Sequence, residues 1–425
     1  MKTICIVDGY STGADLAPEF RKLGWEVIHV QSSPEILPDF VSSYRPADYE
    51  ARFVHDGSPA GLEGLARDVA PLRPSYVVAG TETGVALADA LAAALGLPGN
   101  DPRTTALRRD KYAMQEALRA NGLGCIRQCR VSEVEAAAEW ASALGRWPLV
   151  VKPIDSAGAD GVFFCGSVAE VRAAVRALLG RRNRLGLEND HVLIQERIFG
   201  QQYFVNAVTL GGRHVFTEIW KDDKVLVPGA GLICDREELL PYEGERQRTI
   251  LDYMGKVLDA LGVREGPSHS ELMMTEDGPV LIESAARMQG TILHEAVVAA
   301  LGDSHVTCTV ERYADPDRFA GRLSSPYALR SNLHCVTLAS AVSGTVRRNR
   351  SLELIGSLPS YFQMFHTPGP GERIERTIDL FSNPGIVYLL HEDGARLEAD
   401  YARIRDWERS GALFEVDLDA DRKAG

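Results

Sequence analysis

A chain of 425 residues, 45% hydrophobic and 25% charged, has an ordinary globular composition but is too long for a single core, so roughly two to four domains are expected. The formal net charge of −13 disfavours a nucleic-acid-binding surface and favours solubility. No stretch approaches the ~18 uninterrupted apolar residues of a membrane span, and Asp8 breaks the first apolar run too early for a signal peptide. Seven cysteines (Cys5, Cys125, Cys129, Cys165, Cys234, Cys308 and Cys335) are scattered with no Cys-x-x-Cys pair. That pattern suits buried thiols in a reducing cytoplasm better than a zinc site or a disulfide framework.

Residues 3–8 form an apolar strand, residues 14–23 an amphipathic helix and residues 25–30 a second strand. This β-α-β unit predicts a parallel sheet. Ligands usually sit at the carboxyl ends of such strands, which here carry Gly9-Tyr-Ser-Thr-Gly13 and, after a strand at 76–79, Gly80-Thr-Glu-Thr-Gly84. No Gly-x-Gly-x-x-Gly is present, so a dinucleotide fold is disfavoured. Ser11 and Thr12 read equally as helix caps. Glu82 reads either as a first-turn acid complementing the helix dipole or as a contact for a substrate amino group. The turn-rich segment 97–102 marks a first boundary, before helices at 110–118 and 133–144 and a strand at 126–131. The charged run 108–111 reads as a solvated face.

The strand at 148–153 is wholly apolar until Lys152, whose ammonium must leave the core or find an anion. Small residues follow at once, from Ser156 through Gly161, before a strand at 162–165. Such a loop can wrap phosphate oxygens with backbone N–H groups, although a plain hairpin loop has the same composition, and it lacks the Gly-Lys-Ser/Thr of a Walker A loop. Further on come a helix at 168–179, strands at 191–196, 201–210 and 214–220, a polar stretch at 220–224 that reads as a mobile loop, and a helix at 243–261. Helices at 294–301 and 305–313 precede a boundary marked by Pro316 and Pro326, and short strands dominate beyond about residue 330.

Residues 271–287 read as a hairpin turning at Asp277-Gly278, which brings Glu271 and Glu283 together. Two carboxylates that close repel unless a cation lies between them, and Mg2+ suits such a pair because it leaves positions open for phosphate. Arg287 follows, suited to neutralising a transferring phosphate. A surface hairpin with solvated acids gives the same spacing.

Taken together, a helix lysine at Lys111, the strand Lys152-Pro153, the small-residue loop, Gln195-Glu-Arg-Ile-Phe-Gly200 and the pair Glu271 and Glu283 followed by Arg287 resemble the ATP-grasp superfamily of carboxylate–amine ligases. The resemblance covers roughly residues 1–320. Gly80-Thr-Glu-Thr-Gly-Val85, Arg109-Asp-Lys111, His269-Ser-Glu271 and Glu283-Ser-Ala-Ala-Arg-Met-Gln-Gly290 are similar to the bacterial L-amino acid ligase (dipeptide synthetase) branch. The resemblance implies an ATP-grasp fold of α/β and α+β class. Its parts would be an N-terminal parallel α/β domain (1–100), a small lobe with the glycine loop (101–190), a large lobe with the metal site (191–318) and a C-terminal mixed, strand-rich α+β domain (319–425).

It also implies roles. Lys111 and Lys152 would hold ATP phosphates under a loop of Ser156, Ala157, Gly158 and Gly161. Glu196 and the backbone of Ile198 would bind adenine, and Gln202 stands where many relatives place a ribose-binding glutamate. Glu271 and Glu283 would ligate Mg2+, with Mn2+ as the alternative metal, and Ala285 stands where many ATP-grasp enzymes carry an asparagine. Arg287, with Lys152 and the backbone of Gly290, would serve the transfer of an acyl phosphate to an amine. Glu82, Ser11, His269, Trp220 and Met288 are nominated for the amino-acid pocket, with core packing as the competing reading of His269 and Met288. The expected activity is ATP-dependent ligation of two amino acids by a cytoplasmic enzyme, a homodimer being what the resemblance implies, with no nucleic-acid or membrane partner. A ligase for another pair, such as one with a γ-glutamyl donor, and a non-catalytic ATP-binding protein remain the alternatives.

Overall fold

Thr3–Val7 is buried along its whole length, as expected of a strand covered on both faces. Cys5 and Val7 join Ile28, Val30, Val77 and Leu91 in a cluster on one face, while Ile4 and Ile6 join Leu16, Phe20, Val27 and Val78 on the other. The computed structural model in which these contacts are seen describes residues 2–58, 60–156, 160–227, 231–290, 292–378 and 382–419. The sheet order is Ala51–Val54, Glu26–Gln31, Thr3–Val7, Tyr76–Ala79, with every neighbouring pair parallel. The β-α-β expectation therefore holds. The edge strand Ala51–Val54 and the helix Gly61–Val69 lie in a stretch whose sequence gives little periodic signal, since the strand is short and alternates half-buried and exposed residues.

The chain divides into two compact units. One comprises Met1–Glu218, Glu243–Ile292 and Ser304–Pro326, and the other Ile219–Tyr242, Leu293–Asp303 and Tyr327–Gly425. The first unit thus takes in most of what the sequence divides into three domains, with 219–242 and 293–303 assigned to the second. It holds the parallel sheet and a second, antiparallel sheet ordered Gln128–Val131, Val192–Glu196, Leu149–Pro153, Phe163–Cys165. Helices Val134–Leu144 and Val168–Leu178 cover that sheet around Ala141, Val151, Val171, Val175 and Ile194. Val192–Glu196 pairs within this sheet, so a lobe boundary at residue 190 would separate it from its partner Leu149–Pro153.

The third layer of the first unit is built on Gly278–Ala285, Glu265–Thr275 and Gln201–Leu210, neighbours in that order and antiparallel. Gln201–Leu210 turns at Gly211 and Gly212, whose φ values of 59° and 77° suit the tight two-residue hairpin turn, and leads into Arg213–Val227. The run 108–111 is not a solvated face. Arg108 is 1% exposed and its guanidinium reaches Asp89 at 2.8 Å and the carbonyls of Asp101 and Leu261 at 3.0 and 3.1 Å. A buried guanidinium with this many acceptors is a structural tie between segments.

In the second unit, Gly231–Leu239, Asn332–Thr337, Ile386–His391 and Tyr361–Phe365 pair in that order, and Arg373–Ile374, Gly344–Asn349 and Phe414–Leu418 form a small separate sheet. Helix Gly394–Arg409 packs Leu397 and Ile404 against Val336, Val387 and Leu389. This matches the expected strand-rich C-terminal part. The stretch 220–224, read from sequence as a mobile loop, is instead strand. Lys221 and Asp223 stand opposite Glu238 and Arg236, at 3.9 and 3.3 Å, so the charges are matched across the ladder.

Candidate active site

The hairpin of Glu265–Thr275 and Gly278–Ala285 puts Glu271 and Glu283 directly opposite one another. Side chains of a directly opposed pair leave the sheet on the same face with Cβ atoms about 4.5–5.5 Å apart. A register shift falls between Glu271 and Leu272, where the strand's direction is adjusted. Leu272 and Leu281 are fully buried, and the Ser270 and Ser284 hydroxyls meet at 2.8 Å, so the hairpin is fixed to the body of the unit. Both acids stay about one-third exposed, at 32% and 27%.

Lys111 begins the helix Lys111–Ala120, whose cap Asp110 accepts hydrogen bonds from the Tyr112 and Ala113 amides. The helix is tied to the hairpin by Gln115, which is fully buried, donates to the Leu281 carbonyl and accepts from the Ile126 amide, each at 2.8 Å. Lys111 Nζ therefore sits 3.1 Å from the Glu283 carboxylate and donates to the Ser156 carbonyl at 2.8 Å. Burial works against its charge, but Glu283, Glu82 and Asp155 together outweigh it and hold the Lys111 pKa above the ordinary value.

Lys152, at the end of Leu149–Pro153, is 7% exposed. Burial and the neighbouring Lys111 bring its pKa down to about 8, against the pull of Glu283 and Glu271. Arg109 donates to both Asp155 oxygens at 2.9 Å and lies 3.3 Å from the Glu82 carboxylate, while its guanidinium also reaches the Glu82 carbonyl. Arg287 Nε donates to the other side of Glu82 at 2.8 Å, and its Nη1 to the Met288 carbonyl at 2.9 Å. Burial favours the neutral acid, but Arg287 and Arg109 dominate and hold the Glu82 pKa below the usual carboxylate range. Glu82, Arg109, Lys111, Asp155, Ser156 and Glu283 line one cavity.

Glu82 is carried there by the turn Glu82–Gly84 after Tyr76–Ala79. Gly80 is required by close approach, since a Cβ there would lie 2.4 Å from the Asp8 carbonyl oxygen. The buried Asp8 carboxylate accepts from the Ser32 amide and from the Ser32 and Thr83 hydroxyls, gathering three strand-end loops. Arg109, Asp155 and Asp8 were not nominated from sequence. Arg109 and Asp155 lie within the motifs around Lys111 and Lys152, which was the available signal. Glu82, read from sequence either as a first-turn acid or as a contact for a substrate amino group, lies between two arginines.

The remaining nominated residues divide. Gln202 donates to Glu271 at 2.9 Å, so its amide is engaged by one of the paired acids, which the sequence did not suggest. Glu196 accepts from the Arg127 amide at 3.0 Å, and Arg146 lies 3.7 Å away; Ile198 follows in a half-buried stretch. Ser156 donates to Asp160 at 2.8 Å, and Gly161 takes φ of 65°, which favours glycine. Ala157 and Gly158 lie outside the described residues. The Ser11 hydroxyl lies 3.9 Å from where a Cβ on Gly290 would stand, and it begins the turn Ser11–Asp15 rather than capping it. His269 Nε2 is 3.7 Å from Glu271. Two residues nominated for the pocket are buried, Met288 as its competing core reading had it. Met288 packs in the core with Phe20 and Val306, and Trp220 is a buried strand residue of the second unit, 1% exposed.

The opposed acids Glu271 and Glu283, Lys111 against one of them, the buried Lys152 and the arginines on Glu82 are a set of charges suited to phosphoryl chemistry. Residues 145–295 match the ATP-grasp domain family. Dapdiamide A synthase of Enterobacter agglomerans is 32% identical over 414 residues, 96% of each chain. The L-arginine-specific L-amino acid ligase of Bacillus subtilis is 23% identical over 262 residues, covering 60% of this chain and 62% of that one. The crystal structure of an L-amino acid ligase from Bacillus licheniformis has the same fold, with a TM-score of 0.75 at 19% identity over 99% of both chains. The chain belongs to the ATP-grasp family and is an ATP-dependent carboxylate–amine ligase. Among the described residues no helix is long and apolar enough to cross a membrane.

Proposed function

We propose that this enzyme activates the carboxylate of one amino acid with ATP and joins it to the amine of a second, releasing ADP and phosphate. The observation that carries the reading is the opposed pair Glu271 and Glu283 with Lys111 3.1 Å from one of them and Lys152 beside them. Among the described residues no three acidic, histidine or cysteine side chains converge on one point. Two carboxylates suit Mg2+, which completes its shell with phosphate oxygens and water. When bound, it would supply positive charge against the phosphoryl oxygens.

The chain's own residues account for the rest. Lys111 and Lys152 are poised to bind phosphate oxygens, with Lys111 exchanging Glu283 for that anion. A carboxylate oxygen attacks the terminal phosphorus, giving an acyl phosphate and ADP. The amine nitrogen then forms a bond to the acyl carbon, the C–O bond to phosphate breaks, phosphate leaves with the bonding pair and the amine's proton passes to solvent. Arg287, held by Glu82, and the Gly290 amide stabilise the oxygen charge of the tetrahedral intermediate. Glu196 and Ile198 are assigned to adenine, and Gln202 to supporting Glu271. The names of the relatives support amide formation from amino acids, and they differ enough among themselves that a different acid or amine is the second reading.

The test is incubation with ATP, Mg2+ and amino-acid pairs, following phosphate release and product mass. Amide product stoichiometric with ADP is expected. Folded protein giving neither with any pair would overturn the reading.

A further inference from the structure

Behind the site lies a buried polar network that the chemistry above does not use. Its centre is Asn206, fully buried in Gln201–Leu210. Its amide nitrogen donates to Glu218 Oε2 at 2.7 Å and to Gln289 Oε1 at 2.9 Å, and its oxygen lies 2.8 Å from His269 Nδ1. Glu218, itself fully buried, also accepts from the His305 amide at 2.7 Å.

One atom fixes all the others. A carboxylate only accepts, so the Asn206 atom facing Glu218 is nitrogen. Its oxygen then faces His269, and that ring must carry a proton on Nδ1 to donate there. The Gln289 atom facing Asn206 must be an acceptor, which fixes the Gln289 amide too. His269 is thereby set with Nδ1–H toward Asn206 and Nε2 toward Glu271, 3.7 Å away.

Gln289 sits between Met288, buried in the core, and Gly290. With Arg287 bound to Glu82, the segment from Arg287 to Gly290 is anchored through Glu82, the core and Asn206. We propose that Asn206 is a positioning residue for acyl transfer: it holds the segment from Arg287 to Gly290 through Gln289 and sets which nitrogen of His269 faces Glu271. The proposal rests on the ligase reading above. Loss of the Asn206–Gln289 bond should leave ATP use intact and spoil the delivery of the acyl group to the amine, so that water takes it instead.

The experiment uses the full chain with Gln289→Met, which keeps length and burial and removes the acceptor, and Asn206→Asp, which keeps an acceptor for His269 and removes both donors. ADP and amide product are measured together, with the KM for ATP. Expected is a roughly tenfold fall in amide formed per ADP in Gln289→Met, with KM for ATP within about twofold of wild type. Asn206→Asp should show the same uncoupling. Hydrogen exchange of segment 285–290 should rise roughly tenfold in Gln289→Met, and nitrogen NMR of the wild type should show His269 protonated on Nδ1. An unchanged amide-to-ADP ratio in folded Gln289→Met overturns the proposal. So does unchanged exchange, or a wild-type His269 that carries its proton on Nε2 and none on Nδ1, and these two readings need no turnover. A wild type that forms no amide with any pair would count against the ligase reading, leaving the exchange and NMR results to decide this one.

Discussion

Glu283 is the residue on which the charges of the site turn. It holds Lys111 at 3.1 Å and faces Glu271 across the hairpin. Glu283→Gln should keep the fold, because the side chain is 27% exposed, and lower turnover by about two to three orders of magnitude. Steady-state ADP release and circular dichroism on the same preparation check both halves. Lys152 gives a pH signature. Its pKa is brought down from 10.5 to about 8, mainly by burial. Between those values the unfolded chain binds a proton that the native chain does not, so this residue's contribution to stability rises with pH across that window and is lost as pH falls through about 8. Phosphate binding needs the charged form, so ATP affinity should fall as pH rises above about 8. Lys152→Arg should flatten that profile, which isothermal titration at several pH values will read; a wild-type affinity that does not change between neutral and alkaline pH would contradict the assignment.

At the scale of elements, the hairpin and the helix Lys111–Ala120 are one device. Gln115 joins them through two buried hydrogen bonds. Gln115→Leu leaves the Leu281 carbonyl and the Ile126 amide unpaired, at about 1–3 kcal/mol each, and lets Lys111 move from Glu283. Urea unfolding should show the lost stability, and ADP affinity should fall beyond it. The hairpin was legible because a turn dipeptide sits between apolar arms, and Leu149–Pro153 because an apolar run ends in a lysine. The strand through Trp220 to Lys224 was not, since its charges are satisfied by Glu238 and Arg236 on a neighbouring strand that the local sequence does not reveal. The same reason hid the tie of Glu82 to Arg287, which lies 205 positions away. Burial of Arg108 was illegible for a like cause, its acceptors being spread from Asp89 to Leu261.

For the whole molecule, class and architecture followed from the order of motifs along the chain, while the unit division did not. Two compact units arise where the sequence suggests four domains, because the parallel sheet, the Lys152 sheet and the Glu271–Glu283 hairpin share contacts within one unit. In the proposed reaction a carboxylate is activated as its acyl phosphate in this site and then captured by an amine. The direct measurement supplies an amino acid whose carboxylate oxygens carry a heavy isotope, with ATP, Mg2+ and a second amino acid, and determines the mass of the phosphate and of the amide. One heavy oxygen transferred to phosphate for each amide formed is the predicted result. Phosphate without the label, or label transfer with no amide from any amine tested, would contradict it.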